Sequence, residues 1–218
     1  MNIIKKFLNK YFWNKYSYSL DKDVKKTILI IADISGYTKF MLDSQNTLRH
    51  WQIMITELLT RVIKELHVPI EVSKIEWDAV FMYWLLDNFT DKERKMLKFK
   101  LKEVFNSFNE ELKKMQIKHT CPCNACANIN KLELKLFVHS WDVLFYHIHN
   151  FYELSWVDVI VLHRLLKNNI DSNHYLLVTE KANSVLWYSE DEMDEINNIE
   201  QYDDVWDINT MIYYPNKN

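Results

Sequence analysis

The chain has 218 residues, 48% hydrophobic and 14% aromatic, enough for one domain with a substantial core and an extension. A net charge of -3 gives no overall pull toward nucleic acid, so no nucleic-acid partner is expected. No apolar run approaches the roughly 18 residues of a membrane span, and lysines and asparagines break up any signal-peptide core.

Residues 3–16, "IIKKFLNKYFWNKY", place Ile3, Ile4, Phe7, Leu8, Tyr11 and Phe12 at helical spacing among lysines. A basic amphipathic helix is expected within an extension covering residues 1–26. Docking on the domain or on a dimer partner is favoured over a membrane surface, because one short helix binds membranes weakly. The main domain is expected to span 27–218. Its end is acidic: from Glu180 onward only Lys181 and Lys217 oppose the carboxylates.

"TILIIADIS" (Thr27–Ser35) is short, β-branched and apolar, and reads as a buried strand. Leu48 to Leu66 repeats at i, i+3 and i+4, predicting a helix stopped by His67-Val68-Pro69. Ile70–Ile75 and Ala79–Leu86 read as a hairpin. Asp91–Met115 reads as a long helix, with Thr90 as N-cap and Glu93 as its capping-box partner. Lys131–His139 and Asp142–Ile148 read as two strands. Val157–Leu166 is too apolar for an exposed helix and is expected to pack under the sheet. His174–Thr179 and Met211–Tyr214 complete the strands. The expected class is α+β, a mostly antiparallel sheet with helices on one face.

Asp33 ends an apolar strand just before Gly36, and Asp78 stands at a hairpin tip. Carboxylates at such turns suit an oxygen-ligated cation, Mg²⁺ needing only one or two beside phosphate and water. The plainer reading is two turn-favouring aspartates. "HTCPCNACAN" offers His119, Cys121, Cys123 and Cys126, three thiolates and an imidazole that could complete a tetrahedral Zn²⁺ site. The alternative is a reduced or redox-sensitive loop. An odd, clustered cysteine set points to a reducing cytoplasm. His139, His147 and His149 read as hydrogen-bonded residues at a sheet edge.

"ADISGYTKFM" resembles the first metal-binding segment of class III adenylyl and guanylyl cyclases, and "KIEWDAVFMYW" their second. With the cysteine cluster and "HRLLKN", the order is similar to that of a bacterial family of uncharacterised cyclase-like proteins, over about Thr27 to Leu186. The resemblance implies the ferredoxin-like cyclase fold, a homodimer, and Mg²⁺- or Mn²⁺-dependent conversion of a purine nucleoside triphosphate, ATP favoured, to a cyclic nucleotide and pyrophosphate. It implies Asp33, Asp78 and the Ile34 carbonyl as metal ligands. Gly36, Tyr37 and Thr38 would hold the triphosphate, Lys74 and Glu153 would select the purine, and Arg164 would stabilise the transition state. The ribose-orienting asparagine of those enzymes is replaced by Ile160, which cannot hydrogen-bond. A degenerate cyclase-fold module that binds nucleotide or a protein partner is therefore the alternative.

One glycine stands where ordinary usage predicts about fifteen. Trp77, Trp141 and Trp156 occupy positions where the resembled family has glycine. Two explanations fit. The indoles fill the nucleotide cleft of a scaffold, or codons that the source reads as glycine are rendered as tryptophan. Trp51, Trp84, Trp187 and Trp206 fit either.

Overall fold

The computed structural model describes residues 18–20, 23–43, 48–118 and 121–215. The helix expected over 3–16 lies outside them. Within them are nine strands and six helices. The strands are β1 (Tyr18–Leu20), β2 (Lys25–Ser35), β3 (Glu71–Glu76), β4 (Ala79–Leu85), β5 (Glu133–Ile148), β6 (Phe151–Ser155), β7 (Tyr175–Thr179), β8 (Glu195–Glu200) and β9 (Ile208–Tyr213). The helices are α1 (Tyr37–Asp43), α2 (Leu48–Leu66), α3 (Asp91–Lys118), α4 (Asn124–Asn128), α5 (Val157–Leu165) and α6 (Glu180–Leu186).

The sheet runs β3-β4-β2-β5-β7-β9-β8, and only β5–β7 is parallel. β2 lies near its centre and is buried on both faces, which explains its unbroken apolar run. Ile28, Ile30, Ala32 and Ile34 face one core, shared with α2 and α3. Leu29 and Ile31 face a second core, shared with Val161, Leu162 and Leu165 of α5. Helices thus cover both faces, not one, because the central strands have two apolar faces to bury. Each fully buried large side chain contributes roughly 1.5–3 kcal/mol.

α2 buries Met54, Ile55, Leu58, Val62 and Leu66 on one stripe. α3 begins as its capping box requires: the Thr90 N–H donates to the Glu93 carboxylate at 2.8 Å, and the Glu93 N–H to Thr90 Oγ1 at 3.3 Å.

The two strands expected over 131–148 are one. β5 continues through Ser140 and Trp141, which pair in register with Ile28 and Thr27, and Ser140 Oγ donates to the Thr27 carbonyl at 3.0 Å. Its outer part, from Leu144, pairs with β6, and Tyr146–Ile148 also pair with β1. Residues 18–20 therefore already belong to the sheet, ahead of the expected boundary at 27.

Candidate functional site

Strand register brings Asp33 and Asp78 together. Asp33 pairs with Ala79 at the end of the β2–β4 ladder, and the Ile34 N–H donates to the Asp78 carbonyl at 2.9 Å. Burial, then the charge of Asp78, push Asp33 up to about 6, with Lys135 across the ladder opposing. Burial also raises Asp78, against its own backbone hydrogen bond. Two crowded, partly desolvated carboxylates with little counter-charge are a hard-oxygen donor set of the kind Mg²⁺ or Mn²⁺ takes.

Gly36 follows at φ +85 and lies so close to the backbone that a Cβ would sit 2.9 Å from the Lys131 carbonyl oxygen. Only glycine fits there. Tyr37 packs edge-on to Trp51 with ring centroids 5.9 Å apart, burial and the charge of Asp78 raise its hydroxyl's pKa, and Thr38 is exposed.

Lys74 Nζ lies 3.4 Å from Glu153 Oε2 and 3.5 Å from Glu76 Oε1, joining the hairpin to β6. Arg164, in the last turn of α5, is bound to Asp204. Ile160, one turn earlier, is 52% exposed. Clefts of about 670 and 700 Å³ open beside β8 and β9, but none of these residues lines them. Glu133, Asp171, Glu195 and Glu200 line the first of these clefts. We place the candidate site at Asp33 and Asp78 instead, because Asp33 is raised to about 6 and Asp78 is raised beside it.

A second cluster forms where α2 begins. Cys121 Sγ is 3.1 Å from both Cys123 Sγ and Cys126 Sγ, which are 3.4 Å from each other. His50 Nδ1 lies 3.3, 3.4 and 3.8 Å from Cys121, Cys123 and Cys126. Burial raises the Cys123 thiol, but the Cys126 N–H, His50 and the other sulfurs outweigh it and bring it down to about 6. Burial and the same sulfurs push Cys126 up to about 12. The imidazole expected here was His119, which lies outside the described residues. His50 stands 71 residues before Cys121, and no spacing signal in the sequence joins them.

Residues 55–175 match the family described as a protein of unknown function, DUF2652. The chain belongs to that family. It is also 30% identical over 110 residues to an uncharacterized protein of Mycobacterium tuberculosis, and spans about half the length of that curated relative. In structure it is similar to the guanylyl cyclase Cya2, with a TM-score of 0.64 and 10% identity over 87% of this chain and 91% of that one. The adenylyl cyclase CyaB from P. aeruginosa gives 0.61 and 13%, over 88% and 94%. A bacterial light-regulated adenylyl cyclase gives 0.63 and 14%, over 88% and 52%. The fold of this DUF2652 member is that of class III cyclase domains.

The tryptophans divide on backbone grounds. Trp77, at the hairpin tip, holds φ 52, and Trp187, capping α6, holds φ 57, both in the left-handed region that favours glycine. Trp156 has φ 167, extended backbone open to any residue, and Trp141 lies within β5.

His139 is buried rather than at an edge. Its Nδ1 lies 2.8 Å from Thr179 Oγ1 and its Nε2 3.0 Å from Asp158 Oδ1, which also accepts from Lys181 Nζ at 2.7 Å. Burial lowers the His139 pKa and favours the neutral ring. Burial raises Asp158, but the hydrogen bonds from His139 and Lys181 prevail and hold its carboxyl below the usual range. This network fixes the start of α5, and with it the helix that carries Ile160 and Arg164.

Proposed function

We propose that this protein is a class III nucleotide cyclase-like enzyme, converting a purine nucleoside triphosphate, ATP favoured, to a cyclic nucleotide and pyrophosphate with Mg²⁺ or Mn²⁺. The observation that carries it is the pairing of Asp33 and Asp78 through strand register, each held above its ordinary pKa. Asp33 and Asp78, with the Ile34 carbonyl, would hold the cation, which supplies charge neutralisation at the triphosphate and polarises the phosphoryl oxygens. The Gly36–Thr38 turn would hold the triphosphate. Lys74 and Glu153 would read the purine. Their mutual ion pair is partly exposed and worth at most about 1 kcal/mol, so contacts with a base can replace it. Arg164 would stabilise charge developing on phosphorus after leaving Asp204, an exchange of similar cost. The site would be completed between two copies of the chain.

A second reading, a non-catalytic module binding nucleotide or a protein partner, is favoured by Ile160, which offers the ribose no hydrogen bond. Incubation with ATP or GTP and Mn²⁺ separates them. Cyclic product that disappears in Asp33→Ala and Asp78→Ala supports the enzyme. Saturable nucleotide binding without product supports the module, and the absence of both would sink the enzyme and leave only a module that binds a protein partner.

A further inference from the structure

Three sulfurs and one imidazole nitrogen define six separations, and all six fall between 3.1 and 3.8 Å. Four atoms so spaced are the corners of a near-regular tetrahedron. Its centre lies roughly 2 Å from each corner, close to the Zn–S and Zn–N bond lengths of about 2.3 and 2.0–2.1 Å. A disulfide is the competing use of these thiols. Bonded sulfurs stand about 2.05 Å apart, whereas all three cysteines here are free and nearly equidistant. A disulfide would also leave one sulfur and the imidazole outside it.

The surrounding chain needs such a link. α4 has five residues, and the 3-10 turn Ile129–Lys131 follows it directly. A helix this short does not hold itself together in water. Ala125, Ile129 and Leu132 anchor the segment's underside in the core. Its start is held by the cysteines, and Cys123 caps α4 by accepting the Cys126 N–H on its sulfur. The segment ends at Lys131, whose carbonyl backs the Gly36 turn.

We propose that His50, Cys121, Cys123 and Cys126 hold one structural zinc ion, which pins residues 121–131 to α2 and so fixes the floor beneath the Gly36 turn. Each thiol still protonated gives its proton to solvent as its sulfur binds the metal, and the imidazole binds through neutral Nδ1. Thiolates and imidazole select zinc, whereas the Asp33–Asp78 donors suit Mg²⁺ or Mn²⁺, so the two sites do not compete for one ion.

The test uses the full chain purified without chelator. Elemental analysis is expected to give about one zinc ion per chain, and Co²⁺ in its place should give intense tetrahedral d–d bands with thiolate charge transfer. His50→Ala should weaken zinc at least about tenfold, since loss even of outer-shell partners costs about 10–100-fold. His50→Cys should keep the metal and shift the cobalt bands. Substoichiometric metal after refolding in excess zinc, or a weak octahedral cobalt spectrum, overturns the site. Both are read on the unsubstituted chain, so a variant that fails to fold leaves them intact. Chelation should speed proteolysis within 121–131 and at the Gly36 turn, and unchanged cleavage overturns the bracing role. No nucleotide enters these measurements, so their failure is distinct from failure of the cyclase reading.

A separate observation concerns the glycines. The chain has 8 tryptophans and 1 glycine. Trp51 and Trp84 are 8% and 7% exposed and pack in the core. Trp77 and Trp187 are 80% and 61% exposed, on left-handed backbone at a hairpin tip and a helix cap. The Trp187 indole stacks on Arg94 at 3.5 Å and its Nε1–H donates to the Ser184 carbonyl at 2.8 Å, so at 187 the inference rests on the left-handed backbone alone. The geometry points to glycine at 77 and 187 in the source cell, through a UGA codon read as glycine. The gene should then carry UGA at both positions and UGG at the buried 51 and 84, and the native protein should be lighter by the Trp-to-Gly difference at each UGA. UGG at 77 and 187 overturns it.

Discussion

The carboxylate corner and the cysteine corner share one turn but are assembled in opposite ways. Asp33 and Asp78 meet because β2 and β4 are adjacent strands, so backbone pairing alone fixes them. The cysteines meet His50 across 71 residues, through the packing of a short helix on a long one. Burial raises the proton affinity of both carboxylates, and the charge of Asp78 raises that of Asp33 further. The sulfurs and imidazole share hydrogen bonds that draw them together. One corner costs stability until a cation arrives, and the other contributes to it.

Four experiments bear on that contrast. Zinc removal, or Cys123→Ser, should have the largest effect, about 4–5 kcal/mol of lost stability in a denaturant melt. A melt unchanged by chelation would erase the contrast. Next, Asp78→Asn should lower cyclic-product formation about 10³-fold, or about 4 kcal/mol in the barrier. The same variant should melt no lower than the unsubstituted chain without metal, because a repelling charge has gone. A lower melting temperature would show that Asp78 is structural.

The third is pH dependence. Asp33 is raised from 3.8 to about 6, so folding favours its neutral form. Its contribution is fully present below about pH 4 and is lost as pH rises through about 6, a change on the order of 3 kcal/mol. Asp78 shifts in the same direction and adds to it. Asp158 and Glu192 are shifted downward and titrate with the opposite sign, so the measurement is the difference between the chain and Asp33→Asn over this range. Mn²⁺ should flatten that difference, and a flat difference without Mn²⁺ would contradict it. The smallest effect is at the hairpin tip. Trp77→Gly should stabilise by about 1 kcal/mol as left-handed strain is relieved. A destabilised variant would mean that the indole makes compensating contacts.

The same contrast explains what was legible in the sequence. The carboxylates announce themselves locally, each beside its own turn, and the helices 48–66 and 91–118 follow from apolar spacing and the Thr90 cap. β5 was harder, because Ser140 and Trp141 look like a break. Their strand pairing to Ile28 and Thr27 becomes visible only once β2 is in place. β8 was missed because "EINNIE" lies at the sheet edge, largely exposed, and carries no apolar alternation. His50 was hidden for a different reason. On a helix whose buried stripe is apolar, one histidine in the first turn carries no mark of its partners.

The uninterrupted β5 has a dynamic consequence. Its inner residues Lys135–Val138 are held by β2 on one side and β7 on the other, while its last residues pair with the short strands β6 and β1. Amide hydrogens along this one strand should therefore exchange over a wide range of rates, slowest near Phe137 and fastest toward Ile148. The rim that carries Glu153 can thus open locally without loosening the strand pair that holds Asp33.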